Sequence, residues 1–266
     1  MIFCIDPAIF SGLSNTGFNA MSRWKAAGLH LSISALIGLI TAALVFGVWF
    51  PPPYSHAAGA DRLILLLLGV DIVVGPLLTL IVYRHGKWGM RFDLWVIALL
   101  QAGAFLYGMS VVLGSRPVFV VGAIDRFMLV PADALDDEDL AQGSRPEFRR
   151  RSWTGPIVVN ALRPDDRSER SDLLFSGVGG KDIELFPKYY ADYATHAKPL
   201  LERAHPLSML MEKPGARAAV EAWLADEGRS ADDTVWLPLV GRDADMSVLL
   251  DRKDGRVLDA LAIDPW

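Results

Sequence analysis

Three apolar runs dominate the first 114 positions: 31–50 carries no charge, 63–83 is interrupted only by Asp71, and 94–114 has Gln101 as its only strongly polar side chain. A helix rises about 1.5 Å per residue, so some 20 apolar residues cross roughly 30 Å of hydrocarbon, and each run predicts a membrane-spanning helix. The linkers are short, which predicts an antiparallel hairpin series. After residue 115 the pattern changes to short β-branched stretches at 118–124, 127–130, 157–162, 235–240, 246–250 and 257–263. Asp254-Gly255 between the last two favours a hairpin turn. Helical spacing appears where Ala216, Val220, Trp223 and Leu224 share a face between Pro214 and Gly228, and more weakly at 165–174 and 199–204. The predicted fold class is a polytopic α-helical membrane bundle of three transmembrane helices followed by a soluble α+β domain. Its parts are a tail at 1–21, a membrane domain at 22–115 with helices near 27–50, 63–83 and 93–114, and an extracytoplasmic domain at 116–266.

Charge sharpens the same boundary. Residues 1–114 hold six basic and four acidic side chains, leaving 20 basic and 27 acidic in 115–266. An acidic outer domain argues against nucleic acid as a partner. Arg23 and Lys25 precede the first span, and Arg84, Lys87 and Arg91 follow the second, whereas Arg62 alone marks the loop between them. The positive-inside rule then places the N-terminus in the cytoplasm and the C-terminal domain outside. Trp49, Phe50, Tyr54, Tyr83, Trp88 and Trp95 suit the aromatic belts at the two interfaces. A cleaved signal peptide fits the first span poorly, because its apolar core exceeds the usual 7–15 residues or so. Met21-Ser-Arg-Trp-Lys25 reads as a natural start, so residues 1–20 are expected to be a start-site artefact or a disordered tail. The sole cysteine, Cys4, lies there, so no intramolecular disulfide staples the outer domain.

Candidate chemistry centres on Asp71. An aspartate at the middle of a membrane helix costs about 2.5–3.5 kcal/mol to insert, so it is expected to face a partner helix, a polar cavity or a ligand. Pro76, next to Gly75, has no N–H and frees the carbonyl of Ile72. Thr41 and Tyr107 fall at a similar depth and are the expected hydrogen-bond partners. Asp71, Gly75, Pro76, Thr41 and Tyr107 thus form the predicted binding set, either as a network within the bundle or as a contact for another protein's helix. Ser34, Gly38 and Ala42 on the first span, and Ala104 and Gly108 on the third, mark close helix approach, with internal packing and a groove for a fourth helix as the two readings.

The outer domain offers little for catalysis. Gly177-Val-Gly-Gly-Lys-Asp182 lacks the Ser or Thr that ends a phosphate loop and reads as a turn. His196 and His205 have no metal-ligand spacing, Ser208 lacks an elbow motif, and Arg149-Arg150-Arg151 reads as a solvated loop. No enzyme activity, cofactor or metal is expected.

Several segments carry a resemblance. Met21-Ser-Arg-Trp-Lys25, Trp49-Phe-Pro-Pro-Pro53, Gly69-Val-Asp-Ile-Val-Val-Gly-Pro76 and Phe92-Asp-Leu-Trp95 resemble the TfpX/TfpZ family of type IV pilin accessory proteins. Arg116-Pro-Val118, Pro238-Leu-Val-Gly-Arg242 and the ending Ile263-Asp-Pro-Trp266 extend the likeness. The resemblance implies a multi-pass bacterial inner-membrane protein that assists pilus assembly and modulates twitching motility. Its implied partners are the major type IV pilin, through membrane helix and periplasmic head, the inner-membrane lipid and other pilus assembly proteins. The competing readings are a membrane-anchored extracytoplasmic ligand sensor and a pilin-modifying transferase.

Overall fold

The computed structural model describes residues 22–84 and 89–266. The expected tail with Cys4 and Met21, and Lys87 and Trp88 of the loop after the second span, lie outside the described residues. The chain forms two compact units, one from residues 22–41 and Leu65–Met109, the other from Ala42–Ile64 and Ser110–Trp266.

Among the described residues three helical stretches are long and apolar enough to cross a membrane: Arg23–Trp49, Ala60–Val82 and Met90–Ser115. The first is α1 (Arg23–Leu44) ending in a π-helical turn at Val45–Trp49. A short α2 (Tyr54–Ala57) lies in the following loop. The second comprises α3 (Ala60–Gly69), a π-helical turn at Val70–Val74 and α4 (Gly75–Val82). The third is α5 (Met90–Ser115).

Within the first unit, α1 turns one stripe inward, with Ala27, Ser34, Gly38 and Thr41 buried. These small residues let helices approach, since a Cβ at Gly38 would sit 3.2 Å from Leu68 Cδ2 and one at Gly108 only 2.5 Å from Leu67 Cδ1. Leu36, Ile40, Leu66, Val73, Leu99 and Leu106 face outward, as a hydrocarbon solvent permits.

The second unit is built on an eight-stranded mixed sheet. β1 (Pro117–Ala123) leaves α5 almost at once and pairs antiparallel with β2 (Arg126–Pro131). After α6 (Asp137–Ala141), β3 (Ile157–Ala161) lies parallel to β1. Then come α7 (Arg167–Val178), β4 (Tyr190–Asp192), α8 (Tyr193–His196), α9 (Lys198–Leu201), β5 (His205–Pro206), α10 (Leu207–Met211) and α11 (Ala216–Glu227). The meander β6 (Thr234–Val240), β7 (Met246–Asp251) and β8 (Val257–Leu261) completes the order β4-β3-β1-β2-β6-β7-β8, with β5 on β6. Every residue of β1 is buried, as expected of a central strand without charge. One core joins β1, β3, Phe148 and Tyr190; another packs Leu210, Val220 and Trp223 under Trp236 and Leu249.

The loop between the first two spans belongs to this second unit. Ala57 carbonyl accepts from both Arg242 N–H (2.9 Å) and Asp243 N–H (3.0 Å), and Arg62 Nη1 meets Asp243 Oδ1 at 2.7 Å. Gly241 is needed where the two backbones meet: a Cβ there would lie 2.1 Å from Ala244 O and 2.6 Å from Ala57 O. Tyr54, in α2, is buried enough that its phenol is pushed up to about 12, with Asp259 adding to the effect.

The six expected strands and the Trp223 helix form near their expected bounds, and α11 ends on the left-handed Gly228. The weaker helices shift to Arg167–Val178 and Lys198–Leu201. β4 and β5, of three and two residues, are too short for a period to register.

Candidate functional site

The second span is positioned by its own irregularity. Pro76 cannot donate to Ile72 O, and a widened π-helical turn at Val70–Val74 immediately precedes it, the local adjustment by which a membrane helix accommodates proline. Asp71 lies on that turn, half-buried. Gly75 and Pro76 follow, both buried.

The side chain that meets this turn is Gln101 of α5. Its Nε2 donates to the backbone carbonyl of Asp71 at 3.4 Å, and its amide rests on Gly75, where a Cβ would come within 1.9 Å of Nε2. Only glycine leaves room for it. Asp71 Oδ1 and Gln101 Oε1 are both buried without a hydrogen-bond partner among the described residues. Two orphaned acceptors at one helix crossing are costly in hydrocarbon and mark the place where a donor would be welcomed. A second polar pair joins α1 to α4, His30 Nδ1 and Thr79 Oγ1 sharing a hydrogen bond of 2.6 Å. His30 is also within electrostatic reach of the Asp71 carboxyl.

Of the predicted set, Asp71, Gly75 and Pro76 are brought together by one irregular turn. Thr41 is buried on the inner stripe of α1, whereas Tyr107 is 73% exposed. Neither bonds Asp71 Oδ1. Depth along the helix selected these two residues, and depth says nothing about which way a side chain faces. His30 and Thr79 were not singled out by their sequence context. The visible signal was a histidine beside an apolar run, and a hydroxyl three residues after Pro76.

Several polar side chains that the sequence singles out in the C-terminal domain are held by partners within it. Lys181, in the glycine-rich turn, is bonded to Asp136 at 2.7 Å and Asp139 at 2.5 Å, which holds its amine above the usual lysine range and leaves no phosphate loop. Arg149 and Arg150 are exposed, as expected of a solvated loop, while Arg149 Nε donates to Gly143 O (2.7 Å) and the half-buried Arg151 donates from Nε to Ala132 O (2.8 Å). An open cleft of about 430 Å³ borders β4, with Arg145, Arg163, Lys188, Asp165 and Asp192 on its walls. Among the described residues no group of three His, Cys, Asp or Glu is placed to hold a metal.

The family model described as Fimbrial assembly protein FimB matches residues 18–59, a stretch that includes α1 and the loop carrying α2. Over 248 residues the chain is 31% identical to "Fimbrial assembly protein, serogroup I" of Dichelobacter nodosus, spanning 91% of this chain and 95% of the relative. The chain belongs to the fimbrial assembly protein family. A serogroup E1 fimbrial assembly protein of the same organism is 29% identical over 247 residues, covering 91% of this chain and 95% of the relative. The fimbrial assembly protein of serogroups C1 and C2 is 37% identical over 117 residues, 43% of this chain and 89% of the relative. No solved structure matches the chain significantly. Family membership ties this fimbrial assembly protein to pilus biogenesis, and its three apolar helices associate it with a membrane.

Proposed function

We propose that the protein is a type IV pilin accessory factor of the TfpX/TfpZ kind, which receives the major pilin in the inner membrane before assembly and thereby sets pilus number and twitching motility. It acts without covalent chemistry. The observation that carries the reading is the join between near full-length kinship to fimbrial assembly proteins and an unsatisfied polar crossing in the middle of a membrane bundle. Asp71, Gly75 and Pro76 form the contact for the pilin's membrane helix, with Thr41 and Tyr107 at the same depth. The outer domain meets the pilin head. Two linked contacts raise effective concentration while each stays weak, as a client that must be released requires. The orientation is N-terminus in the cytoplasm and domain in the periplasm, following the basic residues at positions 23, 25, 84, 87 and 91.

The test is photo-crosslinking in membranes from a residue placed at Val74, exposed and near Asp71. The expected adduct contains the major pilin. Absence of pilin from the adducts, in cells that assemble pili, overturns the reading. A reporter fused after Trp266 should be active only if it functions outside the cytoplasm, and cytoplasmic activity would invert the orientation.

A further inference from the structure

Helix α7 buries none of its side chains, although it belongs to a domain with two packed cores. Its polarity is divided along the axis: Arg167-Ser-Glu-Arg-Ser-Asp172 is followed by Leu173-Leu-Phe-Ser-Gly-Val178. A helix covered by its own domain needs a lateral apolar stripe. End-to-end division suits a helix whose tip crosses a polarity boundary lying across its axis. Leu174, Phe175 and Val178 at that tip are 67%, 76% and 90% exposed.

Strand register tells which end of the domain this tip occupies. β1 begins two residues after α5 ends, so Pro117 marks the α5 end of the sheet. β3 runs parallel to β1, pairing Phe119 with Ile157 and Gly122 with Asn160, so Ala161 lies at the distal end and α7 starts from there. The turn after α7 is tied back toward the α5 end, where Lys181 Nζ meets Asp136 and Asp139. The segment just before those aspartates touches the end of α5: Ala132 N–H donates to Arg116 O at 2.9 Å, and a Cβ at Gly114 would lie 3.6 Å from Asp133 Cβ. The apolar tip of α7 therefore lies at the same end of the second unit as the end of α5.

The tip is also prepared for a dry environment. Lys181 N–H donates to Ser176 O (3.0 Å), Ser176 Oγ to Lys181 O (2.7 Å) and Gly180 N–H to Gly177 O (3.0 Å), so the backbone that closes the helix is largely satisfied from within. Trp153, 61% exposed with Arg116 stacked 4.8 Å over its ring, is a second exposed aromatic beside the end of α5, of the kind that suits a membrane interface.

We propose that the C-terminal tip of α7 is a lipid-contact site, with Leu174, Phe175 and Val178 seated in the outer headgroup layer of the bilayer crossed by the three spans. Such a contact restrains the outer domain against the membrane surface independently of any client protein.

The experiment uses the full chain with Cys4→Ser, reconstituted in phosphatidylcholine nanodiscs with or without doxyl-labelled lipid. An environment-sensitive fluorophore is attached through Val178→Cys, or through Arg167→Cys at the polar end of the same helix. Val178 is almost fully exposed, so its replacement leaves packing intact. The label at 178 should be quenched several-fold more than the label at 167, and Phe175→Ser should reduce the difference. Equal or weaker quenching at 178 overturns the proposal. A label that ignores lipid and responds only to added pilin also overturns it, making the tip a protein surface.

Discussion

Replacing Gly75 with alanine sets a gain in helix propensity against a clash with one identified side chain. On its own, glycine to alanine in a helix interior gains about 0.5–1 kcal/mol. An alanine Cβ at 75 would lie 1.9 Å from Gln101 Nε2, so the amide must leave its position. Overpacking of this kind costs about 1–3 kcal/mol. The displaced amide also gives up its bond to Asp71 O, worth about 0.6 kcal/mol for an average interhelical hydrogen bond in a membrane. The costs exceed the gain, and Gly75→Ala should destabilise the bundle by about 1–2 kcal/mol. Gln101→Ala removes the obstacle, and in that background Gly75→Ala should become stabilising by about 0.5–1 kcal/mol. Reversible unfolding in mixed micelles across wild type, both single variants and the double variant measures this coupling. Equal effects of Gly75→Ala in both backgrounds would refute the packing of Gln101 on Gly75.

Gly241→Ala meets backbone oxygens, which cannot rotate away, so it should cost more than Gly75→Ala, about 3 kcal/mol or above, and expose the Arg242 and Asp243 amides to hydrogen exchange; unchanged protection would count against it. The Tyr54 phenol has a folded pKa near 12 against 10.0 unfolded, so stability is unaffected below about pH 10 and falls as pH rises from there through about 12. Tyr54→Phe should remove about 2–3 kcal/mol of that alkaline loss, seen as a flatter stability profile between those values. Asp71→Leu deletes an orphaned buried acceptor and should leave abundance normal or raised while reducing pilin capture and surface piliation; wild-type piliation in a stably expressed variant would sink the contact.

Much of this architecture was legible because its signals are periodic and long. Twenty apolar residues announce a span whatever they pack against, and β-branched runs ending at Asp254-Gly255 announce a hairpin. The site was half legible. Asp71, Gly75 and Pro76 stood out as chemical exceptions within an apolar run, but the partner of that turn depends on helix rotation. Gln101 was visible only as the one strongly polar residue of its span, and that it lies on Gly75 requires the azimuth of α5. Thr41 and Tyr107 show the limit well: they share a depth, yet one faces inward and the other is largely exposed. The assignment of 42–64 to the same compact unit as the C-terminal domain was hidden for a different reason. It rests on backbone groups of Ala57, Gly241, Arg242 and Asp243, and carbonyls leave no trace in a sequence.

That shared carbonyl has a mechanical consequence. Residues 51–62 and the β6–β7 turn are joined by two amides on the Ala57 oxygen and by Arg62 on Asp243, so the loop cannot part from the turn unless all three bonds break together. The three bonds act as a bracket inside the second unit, holding a loop that the sheet itself does not pair. An epitope inserted at Ala57 would cut one arm of that bracket, whereas the β7–β8 tip at Arg252–Asp254 takes no part in it and is the place to put a handle.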